Sequence, residues 1–281
     1  YEGVKHKVHG TFRQVWDHDM VDMVVLRENT EGLYHSLLRR CADRAAGRDP
    51  YEPPEMTFPG LEGEVAYDPR PISKFGSERI SRMGFDIASR RSGAPGDSVS
   101  RVTCVDKSNV TRGCQLFRRT FDEVGEGYPN IERDYGYIDA FMQWITRNPE
   151  HYDVVVSSNM FGDISTDLGA VLQGGMGMAG SANIGDHHAM FEPVHGSAPK
   201  HAGKGIVNPI ASISSVQMML DWLGRRNAND DLVEVAELVG MAIAAHVREG
   251  KQLTYDLGGN ASTTDVGSSI AARLSDALRE R

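Results

Sequence analysis

The sequence predicts an α/β protein with a central sheet flanked by helices. Short apolar runs that suit buried strands alternate with segments whose apolar residues recur at helical spacing, which is the pattern of this fold class. A content of 40% hydrophobic and 25% charged residues is typical of a soluble globular protein. The length of 281 residues allows one large or two ordinary domains.

The first strand is predicted at residues 22–27 (DMVVLR), which run directly into the polar turn ENTEG ahead of Tyr34. Residues 37–63 are rich in Arg, Pro, Gly and Glu without periodicity, and we interpret them as an excursion from the fold. A return to strand is expected at residues 64–73. A helical pattern opens at Lys74 and continues up to the glycine break at residues 93–96.

A regular alternation of strand and helix follows this break. Strands are predicted at residues 101–105, 131–135 and 153–158, with helices at 110–124, 137–147 and 162–173. A glycine-rich loop at 174–185, a second loop of small residues at 192–205, a helix at about 209–223 and two closing helical segments complete the chain.

The stretch NMFGDISTD (residues 159–167) carries the clearest chemical signal. It follows the apolar run DVVVSS, so a strand is expected to end in a turn at Asn159 and Gly162 and to lead into a helix. Asp163 and Asp167 then share one helix face and repel each other unless a positive partner lies between them. Because residues 148–199 contain no Lys or Arg, a divalent cation is one candidate partner, and a solvated acidic face is the alternative.

Composition sets limits on the compartment and the partners. Three cysteines without CxxC spacing indicate reduced thiols, and Cys104 is expected in the core. No run is long enough to cross a bilayer and no signal peptide is visible, so a cytoplasmic protein without membrane association is expected. The net charge of −9, with dispersed acids, argues against a nucleic-acid partner.

Two further residues stand where a site can form. Lys107 follows the predicted strand RVTCV, so its side chain is expected to enter a crevice at the strand end, although a surface lysine remains the alternative. Asp139 interrupts an apolar helix; it lies either on the exposed edge of that helix or is a third carboxylate. Asp139, Asp163 and Asp167 together with substrate and water would satisfy a six-coordinate hard cation.

The segment HGSAPKHAGKG (residues 195–205) has small residues that let backbone N–H groups approach a ligand closely. A phosphate-bearing cofactor suits such a loop, and a plain surface loop is the alternative. The chain has neither a GxGxxG fingerprint nor a Walker motif. His187, His188 and His195 lack zinc-ligand spacing with any cysteine, which argues against zinc.

Taken together, RENTEGLY, VDKSN, NMFGDISTDLGA, MFEPVHGSAPKHAGKGIVNP and TYDLGG resemble the β-decarboxylating dehydrogenases, the isocitrate/3-isopropylmalate dehydrogenase family. The resemblance covers nearly the whole chain in the family's order, and it implies that family's two-domain fold. It also implies metal-dependent oxidative decarboxylation of a 2-hydroxy acid with a neighbouring carboxylate, of isocitrate, homoisocitrate, 3-isopropylmalate or tartrate type. The alternatives are a non-catalytic regulatory subunit and a magnesium-dependent lyase without redox chemistry.

The resemblance also assigns roles to individual residues. Arg27 and Asn29 match the substrate-binding segment, Tyr34 the proton-donating tyrosine, and Lys107 the lysine that assists removal of the hydroxyl proton. Asp139, Asp163 and Asp167 match three aspartates that bind Mg²⁺ or Mn²⁺. In this family the equivalents of Lys107 and Asp139 come from the partner subunit, so a homodimer with shared active sites is expected, with a higher oligomer left open.

For the cofactor, the resemblance points to NADP or NAD. The matching residues are His195, Gly196, Ser197, Ala198, Pro199, Lys200, His201, Asn208 and Tyr255. Lys200 and His201 stand where NAD-dependent members carry an aspartate, which favours NADP because a lysine can neutralise a 2′-phosphate. Gly259 stands where NADP-dependent relatives tend to have an arginine, so that set is incomplete.

The family's N-terminal part has no counterpart in the sequence, including its opening strand, its substrate-selecting helix and an upstream arginine pair. We therefore expect residues 1–174 to form a small domain for dimerisation and for metal and substrate binding. Residues 175–281 are expected to be the C-terminal part of a large cofactor-binding domain. The missing residues select the substrate's third substituent, so the sequence does not name the hydroxy acid.

Overall fold

The computed structural model describes residues 1–34, 41–42, 44–47 and 68–279. Within these residues the strands are β1 (His6–Val8), β2 (Thr11–Arg13), β3 (Val24–Arg27), β4 (Arg101–Asp106), β5 (Glu132–Tyr137), β6 (Val154–Ser157), β7 (Gly180–Ile184) and β8 (Ala189–Pro193). The α-helices are α1 (Lys74–Ala88), α2 (Arg112–Gly125), α3 (Ile138–Arg147), α4 (Asn159–Gln173), α5 (Ile210–Asn227), α6 (Asp230–Glu249) and α7 (Thr263–Arg279). The predicted α/β class is confirmed.

The chain divides into two compact units. One is Asp22–Thr166, and the other combines Tyr1–Val21 with Asp167–Arg281. The sequence had placed residues 1–174 together, whereas here residues 1–21 and 167–174 belong to the C-terminal unit. The functional roles assigned to the two domains stay predictions.

The unit Asp22–Thr166 is built on a parallel sheet with strand order β3-β6-β4-β5. Helices α1 and α2 cover one face, where Phe85, Phe117 and Phe121 pack with Val102 and Val156. Side chains alternate across a strand, so Val105 faces the other side, close to Phe141 of α3. Burial on both faces explains why β4 and β6 read as continuous apolar runs in the sequence.

The second unit is mainly helical. Its core contains Met178, Ile210, Ile243, Val266 and Ile270. Helix α5 lies against the antiparallel hairpin β7–β8, and helices α5, α6 and α7 confirm the predicted closing helices. A second antiparallel pair, β1–β2, comes from the N-terminal segment.

Two predictions at glycines were wrong. Residues 180–184 are strand β7 and not loop, and a Cβ at Gly180 would lie 3.0 Å from the Ser215 nitrogen, so this glycine permits a close approach to α5. Residues 159–162 form no separate turn, because Gly162 N donates to the Ser158 carbonyl at 2.8 Å and α4 begins at Asn159. In both places the glycine serves packing.

Other predictions depend on how far the described residues extend. The excursion at 37–63 lies outside them except for 41–42 and 44–47, and of the strand expected at 64–73 only 68–73 is described, without strand structure. Cys104 is fully buried, as expected, and burial raises the pKa of its thiol well above the usual value. Across the described ranges, none of the helices has the length and apolar character needed to span a bilayer.

Candidate active site

Arg27, the last residue of β3, is held by two residues of α4. Its Nε and Nη2 both donate to Oδ1 of Asn159, at 2.9 and 2.7 Å. Its Nη1 donates to Oδ1 of Asp163. The parallel strands β3 and β6 end side by side, so the arginine at the end of β3 meets the helix that follows β6.

Tyr34 completes this cluster from the short 3₁₀ turn Gly32–Tyr34. Its hydroxyl donates to Oδ2 of Asp163 at 2.7 Å, and the Arg27 guanidinium lies 5.1 Å from the centre of its ring. The neighbouring sequence offers Asp163 no positive partner, but Arg27, 136 positions away in the chain, supplies one. A positive partner that arrives by tertiary contact is invisible to inspection of the neighbouring sequence.

Two glutamates, Glu28 and Glu31, fix the RENTEG turn. Glu28, only 3% exposed, accepts hydrogen bonds from Nη2 of Arg79 at 2.7 Å and from the backbone N–H of Thr30 at 2.7 Å. Glu31 accepts from the Ser73 backbone N–H at 2.9 Å, at the N-terminus of α1. Charges buried in this way are tolerated only with partners, so the turn that carries Asn29 is anchored on both sides.

Gly162 lets α4 approach the end of β3. A Cβ at this position would lie 2.7 Å from Cβ and 3.0 Å from Cα of Arg27. Those atoms belong to the rigid part of the residue, so either the strand or the helix would have to move.

Gly162→Ala should therefore lower the free energy of unfolding by about 1–3 kcal/mol, the usual cost of overpacking. It should also displace Arg27. Gly169→Ala is the matched control in the same helix, because no described atom beyond its chain neighbours and the adjoining helix backbone lies within 4 Å of its Cβ position, and this change should leave the melting temperature unchanged or slightly higher. Calorimetric melting of both variants checks the prediction, and equal melting temperatures would contradict it.

Lys107 and Asp139 form a second cluster. Lys107 follows β4, and its ammonium group pairs with the Asp139 carboxylate in the first turn of α3. The hydrogen bond from Lys107 lowers the pKa of the Asp139 carboxyl. The Asp139 side chain is 66% exposed, so Asp139 lies on the exposed edge of its helix.

An ion pair between a buried aspartate and a partly exposed arginine fixes the strand end from which Lys107 projects. Asp106, which is 1% exposed, accepts from Nε and Nη2 of Arg118 at 2.8 and 3.0 Å and from the Ser108 backbone N–H at 2.9 Å. The Arg118 guanidinium also lies over the ring of Tyr137, at 5.3 Å. The strand was predicted to end at residue 105, whereas β4 includes Asp106, so this pair was not expected.

Asp167 lies exposed on α4, four residues after Asp163. In the part of the chain that the structure describes, no three His, Cys, Asp or Glu side chains come together as a metal site. The three aspartates are thus not assembled by these residues of one chain. Their role as metal ligands stays a prediction, as does the supply of Asp139 by a partner.

The HGSAP segment is an exposed loop. Gly196, Ser197, Pro199 and Lys200 are exposed, His195 is half-buried, and Ala198 has a left-handed backbone with φ +44°. The residues Pro199–His201 form a short 3₁₀ turn. This geometry presents backbone groups to solvent, and their contact with a cofactor stays a prediction.

Other predicted cofactor residues flank this loop. The His201 and Tyr255 rings stack at 6.2 Å between centroids. Asn208 is buried, and its side chain donates to Oδ2 of Asp256 at 3.0 Å and accepts from the Ile210 backbone N–H at 3.0 Å, so it holds the loop ahead of α5. A Cβ at Gly259 would lie 2.0 Å from the Leu253 carbonyl oxygen, which excludes an arginine on this backbone.

The family model described as isocitrate/isopropylmalate dehydrogenase matches residues 5–270. The chain belongs to this family. A homoisocitrate dehydrogenase of Methanocaldococcus jannaschii is 40% identical over 251 residues, which are 89% of this chain and 62% of that protein. A 3-isopropylmalate dehydrogenase of Archaeoglobus fulgidus is 40% identical over 255 residues, 90% of this chain and 68% of that protein.

A solved structure agrees with this membership of the isocitrate/isopropylmalate dehydrogenase family. The isocitrate dehydrogenase from Methylococcus capsulatus has a TM-score of 0.74 and 33% identity, with 98% of this chain and 70% of that chain covered. These relatives carry different substrate names, so the family membership does not choose among the acids. The chain also spans less than two thirds of the length of the homoisocitrate dehydrogenase.

Asn159 is the site residue that sequence reasoning overlooked in this member of the family. It was read as part of a turn, whereas its side chain is 1% exposed and holds Arg27. The one available signal was its position directly after the buried strand DVVVSS, where the ends of parallel strands carry functional groups.

Proposed function

We propose that the whole protein catalyses the metal-dependent oxidative decarboxylation of a 2-hydroxy acid that bears a neighbouring carboxylate, with hydride transfer to NADP or NAD. The acid is of isocitrate, homoisocitrate, 3-isopropylmalate or tartrate type. The observation that carries this proposal is the meeting of Arg27 and Tyr34 on the Asp163 carboxylate, in a chain of this family. An anion-binding group, a proton donor and a hard-cation ligand thus adjoin one another.

The donor set suits Mg²⁺ or Mn²⁺. Carboxylate oxygens are the ligands that these hard cations prefer, and Asp163 and Asp167 stand one helical turn apart on α4, with Asp139 as the third donor. When bound, the cation would acidify the substrate hydroxyl and stabilise the negative charge that decarboxylation leaves behind. It would also replace Arg27 and Tyr34 as a partner of Asp163, which releases both groups for the substrate.

The chain's own groups have distinct tasks in this proposal. Arg27 binds a substrate carboxylate through its fork of N–H donors. Lys107 assists removal of the hydroxyl proton as the hydride leaves C2 for the nicotinamide ring, and Tyr34 then donates a proton to the carbon that has lost carbon dioxide. The Tyr34 hydroxyl already points its proton at a carboxylate, so it is oriented as a donor.

A homodimer with shared sites follows from the same assignment. Lys107 and Asp139 pair with each other in one chain. They would therefore enter the partner's site together, as one preformed cluster. The rest of the site, with Arg27, Tyr34 and Asp163, would come from the other chain.

For the cofactor we propose binding at the loop of His195–His201 with Tyr255, and a preference for NADP over NAD. Lys200 is exposed and positively charged, and the ring of the next residue, His201, stacks on the ring of Tyr255. The preference does not depend on Gly259, where no side chain fits.

A panel assay tests the proposal. The full-length protein is mixed with isocitrate, homoisocitrate, 3-isopropylmalate or tartrate, with each nicotinamide cofactor and with Mg²⁺ or Mn²⁺, and reduced cofactor is followed by its absorbance. At least one combination should show metal-dependent reduction, faster with NADP. No reduction with any combination would refute the dehydrogenase and favour the non-catalytic subunit, whereas substrate loss without reduction would indicate a lyase.

A further inference from the structure

Asn159 ties three segments of the unit Asp22–Thr166 together. Its Oδ1 accepts from Nε and Nη2 of Arg27, and its Nδ2 donates to the backbone carbonyl of Glu31 at 2.7 Å. The side chain is 1% exposed, so these hydrogen bonds are shielded from water. One amide group therefore connects the end of β3, the turn after it and the start of α4.

This contact fixes the plane of the Arg27 guanidinium. A guanidinium has five N–H donors, and the Asn159 oxygen takes the adjacent pair on Nε and Nη2 along one side. A third donor, on Nη1, goes to Asp163. Because the Asn159 oxygen is neutral, its contact does not reduce the positive charge of Arg27; only the contact with Asp163 is an ion pair.

The identity of the acceptor matters here. An Asp at position 159 would neutralise Arg27 and would face the Glu31 carbonyl with a second negative oxygen. An Ala or Ser would reach neither nitrogen, and the guanidinium could then rotate towards Asp163 alone. The neutral amide is thus the group that restrains Arg27 without competing for its charge.

We propose that Asn159 is a positioning residue for recognition of the substrate carboxylate: it holds Arg27 in the orientation that binds the acid. The inference rests on the proposed function in taking Arg27 as the carboxylate-binding group. A purely structural role for Asn159 would instead lower stability and all kinetic parameters alike, whether or not Arg27 is present.

The test is a double-mutant cycle with Asn159→Ala, Arg27→Lys and the double variant, in the full-length protein. Each is measured for KM and kcat with the acid that the panel identifies, for KM with the cofactor, and for the acid's Kd by calorimetry in the presence of Mg²⁺. Asn148→Ala is the matched control, since Asn148 is exposed in the same unit and its side chain caps neither adjoining helix. Asn159→Ser replaces Asn159→Ala if the alanine variant melts early.

Asn159→Ala should raise KM and Kd for the acid by roughly 10- to 100-fold, the value of charge-assisted hydrogen bonds, and leave the cofactor KM near its wild-type value. In the Arg27→Lys background, Asn159→Ala should change KM and Kd for the acid by no more than about twofold. The reason is that a lysine lacks the planar pair of adjacent N–H donors that the Asn159 oxygen accepts from in Arg27. Asn148→Ala should match the wild type.

An equal loss from Asn159→Ala in both backgrounds would overturn the inference, as would parallel losses for acid and cofactor. Wild-type protein that turns over no acid would refute the proposed function. In that case the cycle in Kd, with the acids of the panel as ligands, still decides the inference. If the wild-type protein binds none of these acids, both the proposed function and the inference are refuted.

Discussion

Asp163→Asn should reduce turnover by about 10³-fold while the fold is retained. The carboxylate is the proposed metal ligand on α4, and losing several kcal/mol of charge stabilisation corresponds to a factor of this size. Asn has the shape of Asp: its oxygen can still accept from Arg27, and its NH2 group, which takes the place of the second carboxylate oxygen, can donate to the hydroxyl oxygen of Tyr34 once that hydroxyl turns. The cluster should therefore keep its geometry, and the loss should appear in metal affinity and kcat.

Titration of activity with Mn²⁺, together with a melting curve, checks this expectation. Asp231→Asn is the control, because Asp231 is an exposed aspartate in the first turn of α6, outside the proposed site. Its kinetics should equal those of the wild type. Unchanged activity of Asp163→Asn at limiting Mn²⁺ would show that Asp163 is not a ligand.

Lys107→Met should lower kcat by roughly 10²- to 10⁴-fold, the range for removal of a positioned acid–base group. Met keeps the unbranched stem of the lysine and lacks its terminal amino group, and the Asp139 side chain of the ion pair is 66% exposed, so little stability should be lost. The ion pair of Asp106 and Arg118 should hold the strand end in the variant as it does in the wild type. Single-turnover kinetics of cofactor reduction measure the change in the chemical step.

Mixed dimers show whether Lys107 acts in the partner's site. When Lys107→Met and Asp163→Asn chains are dissociated and reassociated together, half of the dimers should be hybrids with one intact site, which restores about a quarter of wild-type activity. Lys107→Met mixed with Asp139→Asn is the matched control: both lesions lie in the same half of the site, so each site keeps one defect. Restored activity in the control mixture would contradict the shared site. So would the absence of restored activity in both mixtures after subunit exchange.

The sheet could be predicted from the sequence because each of its inner strands is a local apolar run. β4 and β6 are buried on both faces, so their residues had to be apolar or to have a polar partner, as Asp106 has in Arg118. Helix α1 likewise shows its start in the chain itself, where Ser73 accepts from the Gly76 backbone N–H at 2.9 Å. These signals lie within a few residues of the element they define.

The cluster around Asp163 could be predicted only in part. Spacing identified the two carboxylates on α4, and family resemblance singled out Arg27 and Tyr34, but the contacts among them join residues more than a hundred positions apart. The role of Asn159 is of the same kind. Its amide has no partner nearby in the sequence, and its hydrogen bonds to Arg27 can form only when β3 and β6 lie side by side.

The two wrong predictions at glycines have a related cause. Gly162 and Gly180 were read as signs of turn and loop, yet both lie inside regular elements, where a neighbouring residue comes too close for a Cβ. A sequence shows that a side chain is missing and not which neighbour requires it to be missing.

The central claim is that oxidation and decarboxylation are coupled in one metal-dependent site. Its most direct test measures carbon dioxide and reduced nicotinamide together, from the full-length protein with the acid that the panel identifies, with saturating Mn²⁺ and again with chelator. We predict equal molar amounts of both products with Mn²⁺ and neither with chelator. Carbon dioxide without cofactor reduction, cofactor reduction without carbon dioxide, or product formation that persists in chelator would contradict the account.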